Sequence, residues 1–440
     1  MSSVAEKTMD FPSFLTVEAG NLLDEVKTLK EDGWNFCQAC ADRENDEIEL
    51  VYTFENESRL HSLKTRISPE AAIDSITFVF WTAFDAELDM ARECGVKFRH
   101  VAEDHLHEFY DVADLSYASE HIRSDMEALT EHRDYRQMLY VAERMAGTSS
   151  FGNSLGYCMA VEQAAGIKVP ERAVYLRVVL QELSRIQSHL YWFSRIADHI
   201  GFESLAMEFL TVREPILSVF DHISGNRIML SICRVGGLKK DIGEEQLEYL
   251  LRVLKESHDP MERLVMLMQE DASISRRLKG IGILEEKTAR AFCKGPAARG
   301  SAIATDARTD EVWSIYESLG FSPVLETEGD GLARCKVAAA EIFQSVAIIE
   351  AALSQLPEGS VCTEVETLSA GEAVVRLEQP DGQAVYYVKT TDSDYIKKLR
   401  VSMPTDTNLL AYIQVMKDCD PIDAPLVSLT MDPCRNGFDW

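Results

Sequence analysis

The sequence predicts an α+β protein: a small mixed unit followed by a long, mostly helical region that carries one β-hairpin. Three observations support this. Alternating apolar and polar residues occur only before about residue 60 and again near 371–390. Between them lie long stretches with apolar residues every three to four positions. The chain is also 440 residues long, too long for one core, so at least two domains are expected.

The first unit spans residues 1–112. "LLDEVKTLKEDG" has helical spacing and a stop at Gly33, while "NFCQACADR" and "EIELVYTFEN" alternate as strands do. A helical or mixed segment follows in "SPEAAIDSITFVFWTAFDAELDMARECGVKF". The polar, aperiodic "RHVAEDHLHEFYDVADLSY" marks the junction. The second unit spans 113–440. "NSLGYCMAVEQAA" reads as a helix closed by Gly166. Pro170 opens a long helix to Gly201, with Leu176, Val179, Leu180, Leu183, Ile186, Leu190 and Phe193 on one stripe. Further helices are expected near 203–225, 243–270, 310–320 and 335–356. The last contains Glu341 and Glu350 and reads as a buried core helix. "GEAVVRLEQPDGQAVYYVKT" is a hairpin about the turn "QPDGQ".

Composition excludes some functions. With 73 acidic and 44 basic residues the formal charge is −29, which repels nucleic acid and argues against direct anchoring on anionic lipid. No apolar run opens the chain and no uncharged stretch reaches membrane-spanning length, so no export signal or transmembrane helix is expected. The ten cysteines are scattered and read as cytosolic thiols.

Several clusters offer chemistry. Cys37 and Cys40 form a CxxC without a second pair at zinc spacing, and read as structural. His100, His105 and His107 stand among Glu103, Asp104 and Glu108, where a solvated acidic junction accounts for them better than a metal site does. His189, beside Arg185 and Trp192, reads in isolation as a core or interface histidine. Arg299 sits among small residues in "GPAARGSAIATDAR", which allow a partner or cofactor to approach closely.

Several blocks together resemble one family. They are "ERMAGTSSFGNSLGYCMAVEQAAGIKVPERAVYLRVVLQELSRIQSHL", "MEFLTVREPILSVFDHISGNRIMLSICRVGGLKKDI", "GPAARGSAIATDAR", "RCKVAAAEIFQSVAIIEAAL", the hairpin, and "DAPLVSLTMDPC". In this order they resemble the large subunit of membrane-bound [NiFe] hydrogenases and its relative, the 49-kDa-type subunit of respiratory complex I. Residues 20–100 resemble, more weakly, the 30-kDa-type complex I subunit, best in "FDAELDMARECGVKF" with Glu87 and Asp89. A fused pair of this kind is typical of formate hydrogenlyase-type complexes.

The resemblance carries expectations residue by residue. Hydrogenases of the family hold nickel through two Cys-x-x-Cys pairs, because soft thiolates suit a low-valent Ni–Fe centre. Here the first pair falls on Ala146 and Ser149 and the second on Cys434 and Gly437. Three of the four thiolates are replaced, so this chain is expected to bind no metal. The complex I relative implies a quinone cavity with a tyrosine in the loop where Gly147 stands, and a histidine-bearing hairpin for which 113–135 is short. Quinone remains an alternative occupant. His189 matches the family histidine near the [4Fe–4S] cluster of a partner subunit. Arg299 matches the cavity arginine, and Arg177, Glu182 and Arg185 lie on the helix that frames it. For Glu182 and Arg185 a fold-maintaining ion pair is an equal reading.

These expectations lead to a subunit of a membrane-associated, energy-converting oxidoreductase complex. It would be peripheral on the cytoplasmic face, with an Fe–S small subunit and antiporter-like membrane subunits as partners. The competing readings are a divergent quinone-binding subunit of an NADH–quinone oxidoreductase, and a non-catalytic scaffold or assembly protein. No GxGxxG fingerprint is present, so any NADH would be handled by another subunit.

Overall fold

A computed structural model describes residues 13–44, 46–56, 59–101, 129–309, 315–417 and 419–431. The chain divides into two compact units. The first holds the described residues up to 101. Its centre is a four-stranded sheet of β1 (Ser13–Thr16), β2 (Asn35–Glu44), β3 (Glu47–Asn56) and β4 (Arg59–Ile67), in the order β1-β4-β3-β2. β2, β3 and β4 pair antiparallel and β1 runs parallel to β4. Helix α1 (Leu22–Glu31) ends, as its sequence predicts, before Gly33 at φ 82°. The mixed segment resolves into a short parallel pair, β5 (Ala72–Asp74) and β6 (Lys97–Arg99), around α2 (Phe84–Cys94). Leu22, Val26, Ile48, Leu50, Tyr52, Phe54 and Met90 form the core beneath the sheet.

The second unit is built on helices. α3 (Tyr135–Ala142) leads to α4 (Ser150–Ala164), whose C-terminus is closed by Gly166 at φ 67°. α5 (Glu171–His199) is 29 residues long, with Pro170 at its N-cap. The predicted stripe of α5 is fully buried, and the rest of the helix is nearly as buried, because α6 (Glu203–Ser224) and α11 (Gly331–Ser354) pack against it. Between these two helices run the two-residue strands β7 (Cys233–Arg234) and β8 (Gly237–Leu238), then α7 (Glu244–Glu270), α8 (Ala272–Leu278), α9 (Glu286–Phe292) and α10 (Pro296–Arg299). The helix expected near 310–320 is not found in its described part. Residues 316–320 form a turn ending in Gly320 at φ 76°, a left-handed conformation that stops a helix.

The predicted hairpin is β9 (Gly371–Gln379) and β10 (Gly382–Thr390), joined by Pro380 and Asp381. Gly382 at φ 141° allows so short a loop. A third strand, β11 (Ile396–Ser402), pairs with β10, and α12 (Pro404–Lys417) and α13 (Ala424–Met431) complete the unit. α4 lies on this sheet, and Gly156 is where it touches. A Cβ there would overlap the buried ring of Tyr386. Among the described residues α11 alone is long and apolar enough to cross a membrane. Its Arg334 and Glu341 are buried in the core of the unit.

Candidate functional site

The helix stripe on α5 leaves its polar positions facing α10, α11 and β9, and there the unit concentrates charge. Arg299 is fully buried at the end of α10. Its Nε donates to Glu341 Oε1 at 2.9 Å, and its Nη1 donates to Glu378 Oε1 at 2.7 Å and to Thr305 O at 3.1 Å. Asp306 Oδ2 lies 2.9 Å from Nη1. Nη2 sits 2.7 Å from Glu341 Oε1, but at an angle that makes the contact ionic and not a hydrogen bond. Arg185 on α5 donates to Glu182 Oε2 at 3.2 Å and to the carbonyls of Gln379 and Glu378 at 3.1 and 2.9 Å. Arg308 grips Asp306 through Nε at 3.0 Å and Nη2 at 2.8 Å and reaches Glu182 at 3.4 Å. Tyr316 and Ser345 each donate to Glu182 at 2.6 Å. His189 Nε2 lies 3.0 Å from Glu341 Oε2.

The electrostatics follow from this packing. Burial pushes the Glu182 carboxyl up, but Arg185 and Arg308 outweigh it and hold it below the usual carboxylate range. Burial likewise raises Glu341, and Arg299, the His189 hydrogen bond and Arg308 bring it well below that range. Asp306 is lowered by Arg308 and Arg299 against its burial. Burial lowers His189 more than Glu341 raises it, so the ring is a neutral donor at pH 7. Glu378 is the exception. Burial and the charge of Asp306 raise it more than the arginines lower it.

Of the residues singled out by sequence, Glu182, Arg185, His189 and Arg299 therefore converge in one cluster. Arg177 does not join it. It forms a separate bidentate pair with Glu162 at 2.9 and 2.7 Å, and donates to the carbonyls of Arg234 and Gly237 at 3.0 and 2.9 Å. Ala146 and Ser149 are buried at the approach to α4. Ser149 Oγ donates to Asp381 Oδ1 at 3.3 Å, and the Ala146 carbonyl accepts from Asn153 at 3.5 Å. Asn153 in turn accepts from Gln379 Nε2 at 2.7 Å. The hairpin residues 378–381 thus connect these two positions to the ion cluster. Ala146 presents a methyl group and Ser149 a hydroxyl, so neither supplies the soft thiolate that a Ni–Fe centre takes. Cys434, Gly437, His105, His107, Glu103, Asp104 and Glu108 lie outside the described residues.

Two other clusters are accounted for locally. His100 is exposed and 3.1 Å from Asp74. Cys37 donates to Glu55 at 3.6 Å, and Cys40 is buried in the core. Sequence reasoning did not single out Asp306, Arg308, Tyr316 or Glu378. One signal was present: a carboxylate at 341 inside an otherwise apolar helix needs a buried partner.

Residues 199–369 match the family model described as respiratory-chain NADH dehydrogenase, 49 Kd subunit. The membrane-bound hydrogenase subunit alpha of Pyrococcus furiosus is 33% identical over 325 residues, covering 70% of this chain and 76% of that protein. The chain belongs to the 49 Kd subunit family. One NADH-quinone oxidoreductase subunit, from Dehalococcoides mccartyi, is 33% identical over 305 residues, 68% of this chain and 83% of its own length. Hydrogenase-4 component G of Escherichia coli is 28% identical over 389 residues, 87% of this chain and 67% of its own. The family's members are thus named as parts of oxidoreductases, both hydrogenases and NADH dehydrogenases.

Proposed function

We propose that this chain is the large peripheral subunit of a membrane-associated, energy-converting oxidoreductase related to group 4 hydrogenases and NADH–quinone oxidoreductase, and that it holds no NiFe centre of its own. The observation that carries the reading is the pairing of family membership with Ala146 and Ser149 at positions where the hydrogenase resemblance implies thiolates. In this reading a partner subunit holds the [4Fe–4S] cluster, antiporter-like subunits form an ion-pumping arm, and the assembly lies on the cytoplasmic face. The match to a hydrogenase component over 87% of the chain supports a fused arrangement in which residues 1–112 serve the same complex. The relatives named for NADH–quinone oxidoreductase favour a second reading, in which the region around Ser149 and Asp381 takes a quinone.

Affinity purification of the tagged chain from its native host, after gentle solubilisation, tests this. Co-purification with a small iron–sulfur subunit and membrane subunits is expected, with iron and acid-labile sulfide but no stoichiometric nickel. Recovery of the chain alone would end the redox reading. Stoichiometric nickel would end the claim that the NiFe site is lost.

A further inference from the structure

We propose that Cys158 and Cys233 form a redox-active dithiol, which a small peroxide converts to a disulfide. Both are free thiols shut off from solvent, at 0% and 1% exposed. Cys158 lies on α4 and Cys233 opens β7, and the packing brings them together. Ser154, Cys158 and Glu162 repeat every four residues, so they share one face of α4. At the C-terminal end of that stripe Glu162 Oε1 accepts from the Gly236 amide at 2.7 Å. The same carboxylate holds Arg177, which donates to the carbonyls of Arg234 and Gly237. β7 and its turn are thus fastened along the stripe. One helical turn before Glu162, the thiols of Cys158 and Cys233 interact with each other. The turn is pinned by residues 361–363 as well: a Cβ on Gly236 would overlap Thr363 O, and one on Gly237 would overlap Val361 O. Two sulfurs held side by side by such a frame need little backbone movement to join.

The surroundings give the two thiols different roles. Burial raises Cys233, but the Cys158 thiol, Arg177 and Ser154 outweigh it and bring it below the ordinary thiol value. Cys158 is pushed well above that value by burial and by Cys233. Cys233 therefore supplies the thiolate, which is the nucleophile. Its sulfur attacks one oxygen of hydrogen peroxide. An S–O bond forms, the O–O bond breaks, and one water leaves. The Cys158 sulfur then attacks the sulfenic acid on Cys233. The S–S bond forms, the S–O bond breaks, and a second water leaves. The thiols give up two electrons and two protons, and peroxide takes up both as it is reduced to water. Burial selects the oxidant. Hydrogen peroxide is uncharged and close to water in size, so it enters through local opening of the fold. A disulfide the size of oxidised glutathione is too large to reach either sulfur.

Mass spectrometry of the purified full chain tests this. The chemistry needs no partner subunit, so the outcome is independent of the role proposed for the chain in a complex. The reduced chain is treated with enough hydrogen peroxide to oxidise the half-buried Cys362, then unfolded, alkylated and digested without reductant. We expect a cross-linked peptide pair joining Cys158 to Cys233, lighter by two hydrogens than the separate peptides and released by dithiothreitol. The pair should be absent in Cys158→Ser and in Cys233→Ser. The parent chain decides the matter even where a variant folds poorly. Recovery of Cys158 and Cys233 both alkylated, from a chain whose Cys362 is oxidised, would overturn the proposal. So would a bridge from either residue to a different cysteine, or a sulfinic acid on Cys233 with Cys158 still alkylated. Oxidised glutathione in place of peroxide should leave both residues alkylated. A glutathione adduct on Cys233 would overturn the selection of a small oxidant by burial.

Discussion

Glu87 and Glu341 are both buried carboxyls on helices, and their environments drive them in opposite directions. Glu87, on α2, meets only neutral donors: Ser75 Oγ at 2.6 Å, the Ile76 amide at 2.9 Å and Tyr52 OH at 3.4 Å. Burial prevails over these hydrogen bonds and pushes it up to about 7. Glu341, on α11, is more deeply buried, yet Arg299, His189 and Arg308 carry it well below the ordinary range. Burial depth alone therefore does not decide ionisation; between these two acids the permanent cations beside Glu341 make the difference, and Glu378, which shares Arg299 with Asp306, is raised despite its cation. One unit satisfies its buried acid with a proton, and the other satisfies most of its acids with arginine.

The sharpest way to break this comparison is to remove the cation. Arg299→Met takes the guanidinium from Glu341, Glu378 and Asp306 at once and leaves buried carboxylates without it. Breaking a buried ion pair on one side costs about 3–5 kcal/mol, and urea unfolding of the full chain should show a loss of that size. A loss under about 1 kcal/mol would mean that the acids take up protons as readily as Glu87 does, and the contrast between the units would fail.

The pH dependence separates the two units next. Glu87 has a raised folded value, so the stability it allows is fully present below about 4.5 and is lost as pH rises through about 7. The shift corresponds to about 3 kcal/mol. Glu182, Glu341 and Asp306 have lowered values, so their contribution is present at neutral pH and is lost as pH falls below the ordinary carboxylate range. Hydrogen exchange resolved by segment should show protection in residues 48–54 and 84–94 falling from pH 5 to pH 8. Protection in α5 and α11 should fall instead on acidification below pH 4. Glu87→Gln should flatten the first slope without touching the second. Parallel slopes in both units would contradict the assignment of causes.

This contrast also explains what the sequence could disclose. Long amphipathic helices declare themselves by periodicity, and "QPDGQ" declares a hairpin, because these signals are local. The ion cluster is not local. Its members come from residues 182–189, 299–308, 316, 341–345 and 378, and only the packing of α5, α10, α11 and β9 brings them together. Arg299 stood out by the small residues around it and His189 as a core or interface histidine, and family resemblance gave both their cavity roles, whereas Glu378 looked like an ordinary strand residue before a turn. Arg177 shows a further limit. Sharing a helix with Arg185 suggested a shared site, but it lies eight residues away and reaches Glu162 and the β7–β8 turn. Strand β11 was missed because "IKKLRVS" carries two lysines in a row.

A smaller effect probes volume where the first two probe charge. Gly156 faces Tyr386, whose hydroxyl lies 3.2 Å from Asn153 Oδ1 and 3.0 Å from Gln379 Nε2. Gly156→Ala forces the ring to shift, at a cost of about 1–3 kcal/mol for overpacking. Because the ring belongs to the hairpin bearing Glu378, amide protection in β9 and β10 should fall as well, while protection in residues 48–54 stays as it was. Unchanged protection in β9 and β10 with lowered stability would show that the strain is absorbed within α4.

The smallest effect is expected at Ser149. Its hydroxyl makes one 3.3 Å hydrogen bond to Asp381, a neutral donor on a carboxyl group, the same kind of contact that Ser75 makes to Glu87. Replacement by alanine removes that donor and no permanent charge, so a loss of about 1 kcal/mol is expected from unfolding measurements. Ser75→Ala should cost a similar amount, and it should also raise the Glu87 value further, since the lost bond favours the ionised form. A loss at Ser149 as large as that at Arg299 would instead mean that Asp381 depends on this hydroxyl as Glu341 depends on its arginine. The polar path from α4 to the cluster would then be the cooperative element of the unit, and the arginines would be secondary to it.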